Sequence, residues 1–322
     1  MSRTGIGSLN PGPGEVARGM VRVPGVEPAW EMPAFVVRGA APGPTLAITA
    51  GVHAAEYPPI EAATRVAREL DPARVAGTVV VIPLVNAPGF PLRSIYVNPV
   101  DGRNLNRSFP GSADGSASER VARFLLEQVI AGCDAYLDLH CGDMIEALVP
   151  FAGYYVTGDE RVDAAAQAMS EVFGIEHVIA PRGADLPGTG YANAALRGVP
   201  ALLAEIGQQG VYEQASVERL ASGVRAVLAH LGMLPGVAAP APGPRRELAR
   251  FSWLYAEVSG TYHPSIAIGD EVAEGQVVGE LRDLFGDRLR ELRAPATGSV
   301  LFLVTSLAIN RGDPLFGIGV PA

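Results

Sequence analysis

The stretch Thr45-Leu-Ala-Ile-Thr-Ala-Gly-Val-His-Ala-Ala-Glu56 decides how this chain is organised. Residues 45–50 form a short apolar run that ends at Gly51, which is typical of a buried strand. His53 lies just past that strand and Glu56 follows three residues later, so the imidazole and the carboxylate can reach one ion from the same side of a turn. The motif alone is weak, because a strand-end histidine beside a surface glutamate gives the same spacing.

Apolar strands alternate with helices over the first two thirds of the chain. The predicted strands are 45–50, 78–85, 135–140, 147–156 and 199–205, and the predicted helices are 58–70, 118–131, 159–173 and 213–234. This alternation predicts an α/β domain with a mixed, largely parallel sheet flanked by helices. His53, His140 and Glu205 lie at or just past strand carboxyl ends, where such sheets hold their sites.

His140 closes the apolar strand 135–140, and a buried histidine without a partner needs an explanation. A core histidine bonded to the backbone is one explanation. Ligation is the other, since two histidines and one carboxylate form a typical zinc site whose open position holds the attacking water. We therefore expect one zinc ion per chain, bound by His53, Glu56 and His140. Asp138 lies on the same strand face as His140 and is expected to accept a hydrogen bond from its ring and so orient it.

The polar loop 101–111 and the end of strand 199–205 supply further candidates. Asn106 and Arg107 can hold a substrate carboxylate, and Arg103 can polarise a scissile carbonyl. Glu205 ends an apolar strand, so its pKa should be raised and it can act as a general base. The alternatives are a solvated arginine-rich turn and a strand-end glutamate in a salt bridge.

Four motifs in one order carry a family resemblance: Gly-x-His-x-x-Glu, Asn-Leu-Asn-Arg-x-Phe-Pro-Gly, Asp-Leu-His and Glu-Ile-Gly. Together they resemble the succinylglutamate desuccinylase/aspartoacylase family, which is related to the zinc carboxypeptidases. The resemblance implies a zinc-carboxypeptidase-like fold with zinc on the two histidines and Glu56. It also implies Glu205 as general base and acid, and Asn106 with Arg107 as the pair that holds a substrate carboxylate.

The chain departs from this family at two arginines. The carbonyl-polarising arginine usually precedes the Asn-Leu-Asn-Arg run, but Ile95-Tyr-Val97 occupies that region, which leaves Arg93 or Arg103. The arginine that grips a second carboxylate would fall near Ala195, where Arg197 is the closest candidate. An N-acyl amino acid with a less acidic side chain, as in the related N-acetyl-diaminobutyrate deacetylases, therefore fits better than N-acetylaspartate or succinylglutamate.

The last quarter of the chain has a different pattern. Residues 1–234 are expected to form the zinc hydrolase domain, residues 235–244 a Pro/Gly/Ala linker, and residues 245–322 a small all-β sandwich or barrel, the β module. The β module resembles the lipoyl/biotinyl-carrier fold without the carrier lysine. We expect it to cover the site, with Tyr262 or Phe285 near the entrance; a peripheral stability or dimerisation role is the alternative.

Composition limits the partners. The chain has no lysine, which excludes Schiff-base chemistry and a Walker phosphate loop, and its net charge of −9 argues against nucleic acid. It has neither a signal core nor an apolar run long enough for a membrane, so a cytoplasmic location is expected. A homo-oligomer is possible.

The sequence thus predicts zinc-dependent hydrolysis of an amide bond in a small-molecule N-acyl amino acid. One alternative is a zinc carboxypeptidase or amidase that acts on short peptides. Another is an inactive binding protein on a hydrolase fold.

Overall fold

The computed structural model describes residues 5–183, 188–236 and 245–322. Its strands are β1 Glu15–Val23, β2 Trp30–Arg38, β3 Ala41–Ala50, β4 Ala76–Ile82, β5 Ala135–His140, β6 Glu146–Leu148, β7 Phe151–Gly153, β8 His177–Ile179, β9 Ala201–Glu205, β10 Arg246–Tyr255, β11 Gly260–Pro264, β12 Glu271–Val272, β13 Val277–Arg282, β14 Arg288–Arg293, β15 Gly298–Val304, β16 Ala308–Ile309 and β17 Pro314–Pro321. Its α-helices are α1 Tyr57–Glu69, α2 Ala117–Phe124, α3 Glu160–Phe173, α4 Gly190–Ala195 and α5 Gln214–His230. Shorter helical turns lie at Pro72–Arg74, Leu105–Arg107 and Leu125–Ile130.

The main sheet is mixed, as predicted. Its order is β1-β2-β4-β3-β5-β9-β7-β8-β10-β17-β15-β12, and β4, β3, β5 and β9 run parallel to one another. Helices α1, α3 and α5 cover one face through a buried cluster that includes Val66, Met169 and Leu220. Helices α2 and α4 cover the other face with Val121 and Tyr191. The central strands β4, β5 and β9, and the second half of β3, are largely apolar because both faces of the sheet are buried there.

The predicted strand 147–156 differs from the structure, which has two short strands there. β6 ends at Leu148 and β7 begins at Phe151, and Pro150 lies between them. Proline has no backbone N–H to donate to a strand ladder, so it interrupts the run. The break lets β6 pair with β15 while β7 pairs with β9.

The C-terminal strands continue the main sheet. β10 pairs with β8, and β17 and β15 follow it, while β14, β13, β11 and β16 form a second, four-stranded sheet among the described residues. The β module is therefore joined to the N-terminal part through two strand pairs, β8–β10 and β6–β15. Most of the predicted linker 235–244 lies outside the described residues, and the division into domains stays a prediction. No helix in the described ranges is both long and apolar enough to cross a membrane.

Candidate active site

Three predicted ligands meet at the carboxyl edge of the sheet. Gly51 has a φ of +60°, which lets the chain turn sharply after β3 and bring His53 over the strand ends. His53 Nδ1 lies 2.6 Å from Glu56 Oε1, and His140 Nδ1 lies 3.0 Å from Glu56 Oε2. One ligand atom from each of the three residues lies within 4.8 Å of the others. This arrangement is compact enough for a single cation.

The outward nitrogens of both histidines face polar partners. His53 Nε2 lies 3.0 Å from Asn104 Oδ1, and His140 Nε2 lies 3.3 Å from Asp138 Oδ1. Thr49 donates a 2.9 Å hydrogen bond to the same Asp138 oxygen. Outer partners of this kind fix the ring orientation and leave Nδ1 free to bind a metal. The donor set therefore fits zinc, which favours imidazole and carboxylate ligands.

The carboxylate and the two imidazoles of the cluster shift one another's pKa. Burial opposes ionisation of Glu56, but His140 and His53 more than offset it and hold the pKa of Glu56 at about 2. Burial alone would lower the pKa of both histidines; the Glu56 carboxylate reverses this and raises the pKa of each. A metal ion would replace the protons that these groups hold, so binding should release protons.

Glu205 lies directly beside the cluster. It is the last residue of β9 and stands opposite His140 in the parallel pairing with β5. Desolvation raises the pKa of its carboxyl to about 8; Glu56 and Glu146 add to the effect, and His140 opposes it. A carboxyl whose pKa lies near neutrality can both accept and return a proton.

The loop after Asn98 supplies the predicted substrate-binding pair. The buried Asn106 accepts a 3.1 Å hydrogen bond from the Gly190 backbone, and Arg107 Nη1 donates a 2.7 Å bond to the Asn106 carbonyl. A cavity of about 460 Å³ opens beside this loop, and it is lined by Arg103, Asn104, Arg107, Ser108, Phe109, Pro110, Gly111 and Glu119. Asn104 borders both the cavity and His53, so the cavity adjoins the histidine cluster.

The predicted arginine candidates lie toward the surface. Arg103 lines the cavity, but its side chain is 58% exposed and its Nη1 lies 3.3 Å from Glu119 Oε2. Arg93 and Arg197 are exposed. The role of Arg103 in polarising a carbonyl stays a prediction.

Sequence reasoning missed several groups near the cluster. Asn104 lies two residues before Asn106 in the same motif, so the motif itself contained a signal for it. Asp143 accepts a 2.8 Å hydrogen bond from the Tyr96 backbone, and Glu146 accepts one of 2.7 Å from the Asp143 backbone. Desolvation raises the pKa of Glu146 to about 7, with a contribution from Glu56. No motif indicated Tyr96, Asp143 or Glu146.

The β module reaches this region through a different segment from the one predicted. Tyr262 is buried in the core of the module, and Phe285 is 94% exposed at the β13–β14 turn. The contact runs instead through residues 145–148: β6 pairs with β15, and Thr305 donates to the Ile145 carbonyl at 2.8 Å. Whether the module limits access to the site stays a prediction.

Comparisons with known proteins show which family this chain resembles. Residues 42–231 match the family model described as the succinylglutamate desuccinylase/aspartoacylase catalytic domain. An N-alpha-acetyl-L-2,4-diaminobutyric acid deacetylase from Halomonas elongata is 28% identical over 93% of this chain and 90% of its own length.

Solved structures are similar over nearly the whole chain. The product-bound ectoine utilization protein EutE (DoeB) from Ruegeria pomeroyi has a TM-score of 0.85 and 26% identity, over 99% of this chain and 100% of that one. A succinylglutamate desuccinylase/aspartoacylase from Rhodobacter sphaeroides has a TM-score of 0.81 and 27% identity, over 94% of each chain.

Proposed function

Since this chain belongs to the succinylglutamate desuccinylase/aspartoacylase family, we propose that it is a zinc-dependent deacylase of a small N-acyl amino acid. One observation carries the proposal. The ligand atoms of His53, Glu56 and His140 lie close together, and Glu205 lies opposite His140 on the neighbouring strand. A carboxylate beside a hydrolytic metal site is the arrangement that activates water against an amide.

Zinc, when bound by His53, Glu56 and His140, would supply Lewis-acid polarisation and lower the pKa of the attacking water. Glu205 then removes a proton from that water as it attacks the amide carbon. The same carboxyl returns the proton to the leaving nitrogen, because amide cleavage needs a neutral amine as leaving group. Its pKa of about 8 suits both steps near neutral pH.

Asn106 and Arg107 would hold the carboxylate of the amino acid. The Asn106 oxygen is already engaged by the Gly190 backbone, so its amide N–H groups are available to an anion. The Arg107 guanidinium adds a positive charge and a fork of donors. Asn106 and Arg107 lie in the same loop as Asn104, which contacts His53. A carboxylate held by this pair would therefore lie close to the histidine cluster.

We further propose that the substrate carries a basic or neutral side chain, as in N-acetyl-2,4-diaminobutyrate. The similarity to a deacetylase of that compound supports this choice. A second support is Ala195, a buried, uncharged residue near the place where the family resemblance implies an arginine for a second carboxylate.

The test is a comparison of substrates on zinc-reconstituted protein. Release of free amine should be fastest from N-α-acetyl-2,4-diaminobutyrate, slower from N-acetylaspartate and slowest from dipeptides. Glu205→Gln is the matched control, because it keeps the size of the side chain and removes the proton acceptor. Faster cleavage of dipeptides would favour the carboxypeptidase alternative. Absence of hydrolysis with one zinc bound per chain would favour the binding protein.

A further inference from the structure

Hydrolysis of an amide places negative charge on the carbonyl oxygen, and a fixed donor near that oxygen accelerates the reaction. The arginines considered for this role point toward the surface. Arg103 pairs with Glu119, and Arg93 is exposed. Another donor near the cluster is therefore of interest.

We propose that Tyr96 is a catalytic residue that donates its phenol O–H to the carbonyl oxygen as charge develops there. The inference rests on the proposed function and names a further residue for the same site. It depends on three observations: the backbone conformation of Tyr96, its attachment to the loop after His140, and its buried hydroxyl.

The backbone of Tyr96 is in the left-handed region, with a φ of +59°. A bulky side chain rarely adopts that conformation, and such residues concentrate at functional sites where the surrounding structure holds them. Asp143 holds this one, because its Oδ2 accepts the Tyr96 backbone N–H at 2.8 Å. Asp143 lies three residues after the ligand His140, so the turn at Tyr96 is anchored to the segment that leaves the cluster.

The Tyr96 hydroxyl oxygen is buried and meets no described group with full hydrogen-bond geometry, although the Glu146 carboxyl lies close enough to act on it. Buried hydroxyls are normally satisfied, so an orphaned one is a candidate donor to a ligand. Glu146 is the charged group that acts most strongly on it, and Glu146 in turn senses the charges of Glu56 and His53. Desolvation and then Glu146 raise the pKa of the Tyr96 phenol well above its ordinary range. The phenol therefore stays protonated and remains a donor.

The chemical step is balanced without any further reagent. Water attacks the carbonyl carbon, its proton passes to Glu205, and the π electrons of the carbonyl move onto oxygen. Tyr96 shares its proton with that oxygen through a hydrogen bond and keeps it. When the carbonyl re-forms, the C–N bond breaks and Glu205 gives its proton to the amine.

The test is Tyr96→Phe, with Tyr262→Phe as the matched control. Tyr262 also has a buried hydroxyl with no partner in the described part of the chain, but it lies in the core of the β module. Loss of one oxyanion donor should lower kcat and kcat/KM together by roughly 10²-fold, with KM nearly unchanged. The control should keep the wild-type rates.

Two binding measurements separate catalysis from structure. A phosphonamidate that mimics the tetrahedral species should bind Tyr96→Phe more weakly by about the same factor as kcat/KM falls. Zinc content and affinity for the product amino acid should not change. Retention of kcat within about threefold overturns the proposal, and so does an equal loss of product binding, which would make Tyr96 a structural residue. If the wild-type protein hydrolyses no N-acyl amino acid, the proposed function fails instead.

Discussion

Replacing Glu205 by glutamine should stabilise the metal-free protein while removing its activity. The carboxyl has an ordinary pKa of 4.5 and a pKa of about 8 in the folded chain. Between these two pKa values the carboxyl is ionised in the unfolded chain but still protonated in the folded one, and this difference favours the unfolded state. Relative to a neutral side chain, Glu205 therefore has no effect below about pH 4, and its destabilising effect grows until about pH 8.

The size of the effect follows from the same values. At about pH 7 the carboxyl is neutral in the folded chain and ionised in the unfolded one. With roughly 1.4 kcal/mol for each pH unit above the ordinary pKa of 4.5, the difference disfavours folding by about 3 kcal/mol. Glutamine does not ionise, so Glu205→Gln should gain up to this amount.

The assay is urea denaturation of chelator-treated wild type and variant at about pH 4, 6 and 8. The free energies of unfolding should coincide at the lowest pH and diverge as the pH rises, with the variant more stable. Other groups titrate over this range, but they are present in both proteins. The difference in free energy of unfolding between variant and wild type should therefore be larger at pH 8 than at pH 4. An equal difference at both pH values would refute a desolvated Glu205 carboxyl.

Three further predictions follow from the site and the module. Asn104→Ala removes the partner of His53 Nε2 and should weaken zinc binding by about 10-fold or more, measured by competition with a chelator; unchanged affinity would show that the 3.0 Å contact does not orient the ring. In the zinc-loaded enzyme kcat/KM should rise with pH and level off at or below about pH 8, because Glu205 must be unprotonated and the cation lowers its pKa; a rate that falls over this range would exclude it as the base. Tyr262→Phe removes a buried, unpaired hydroxyl and should raise the free energy of unfolding by about 1 kcal/mol in urea, and a loss of stability would mean that the hydroxyl has a partner.

The sequence predicted that His53, Glu56 and His140 come together because local patterns determine their positions. His53, His140 and Glu205 each follow an apolar run, and strands β3, β5 and β9 are adjacent in the sheet, so their carboxyl ends meet. The two-residue alternation of a strand placed Asp138 on the same face as His140.

Other features depend on contacts between distant parts of the chain. Asn104 reaches His53 across 51 positions, through a short helical turn that no periodicity predicts. Tyr96 has a positive φ, against the preference of its residue type, and its backbone N–H donates to Asp143, 47 residues away. Strands β8 and β10 also pair although they lie far apart in the sequence. The Pro/Gly/Ala segment between them suggested two separate domains instead.

The central claim is that zinc on His53, Glu56 and His140, with Glu205 as base, cleaves an amide. Its most direct test is a titration of metal-free protein with zinc, in which bound metal and hydrolysis of N-α-acetyl-2,4-diaminobutyrate are measured together. Activity should rise in proportion to zinc and stop at about one ion per chain. Glu205→Gln should bind the same zinc and turn over roughly 10²-fold more slowly. Full activity in the metal-free protein, or in Glu205→Gln, would contradict the account.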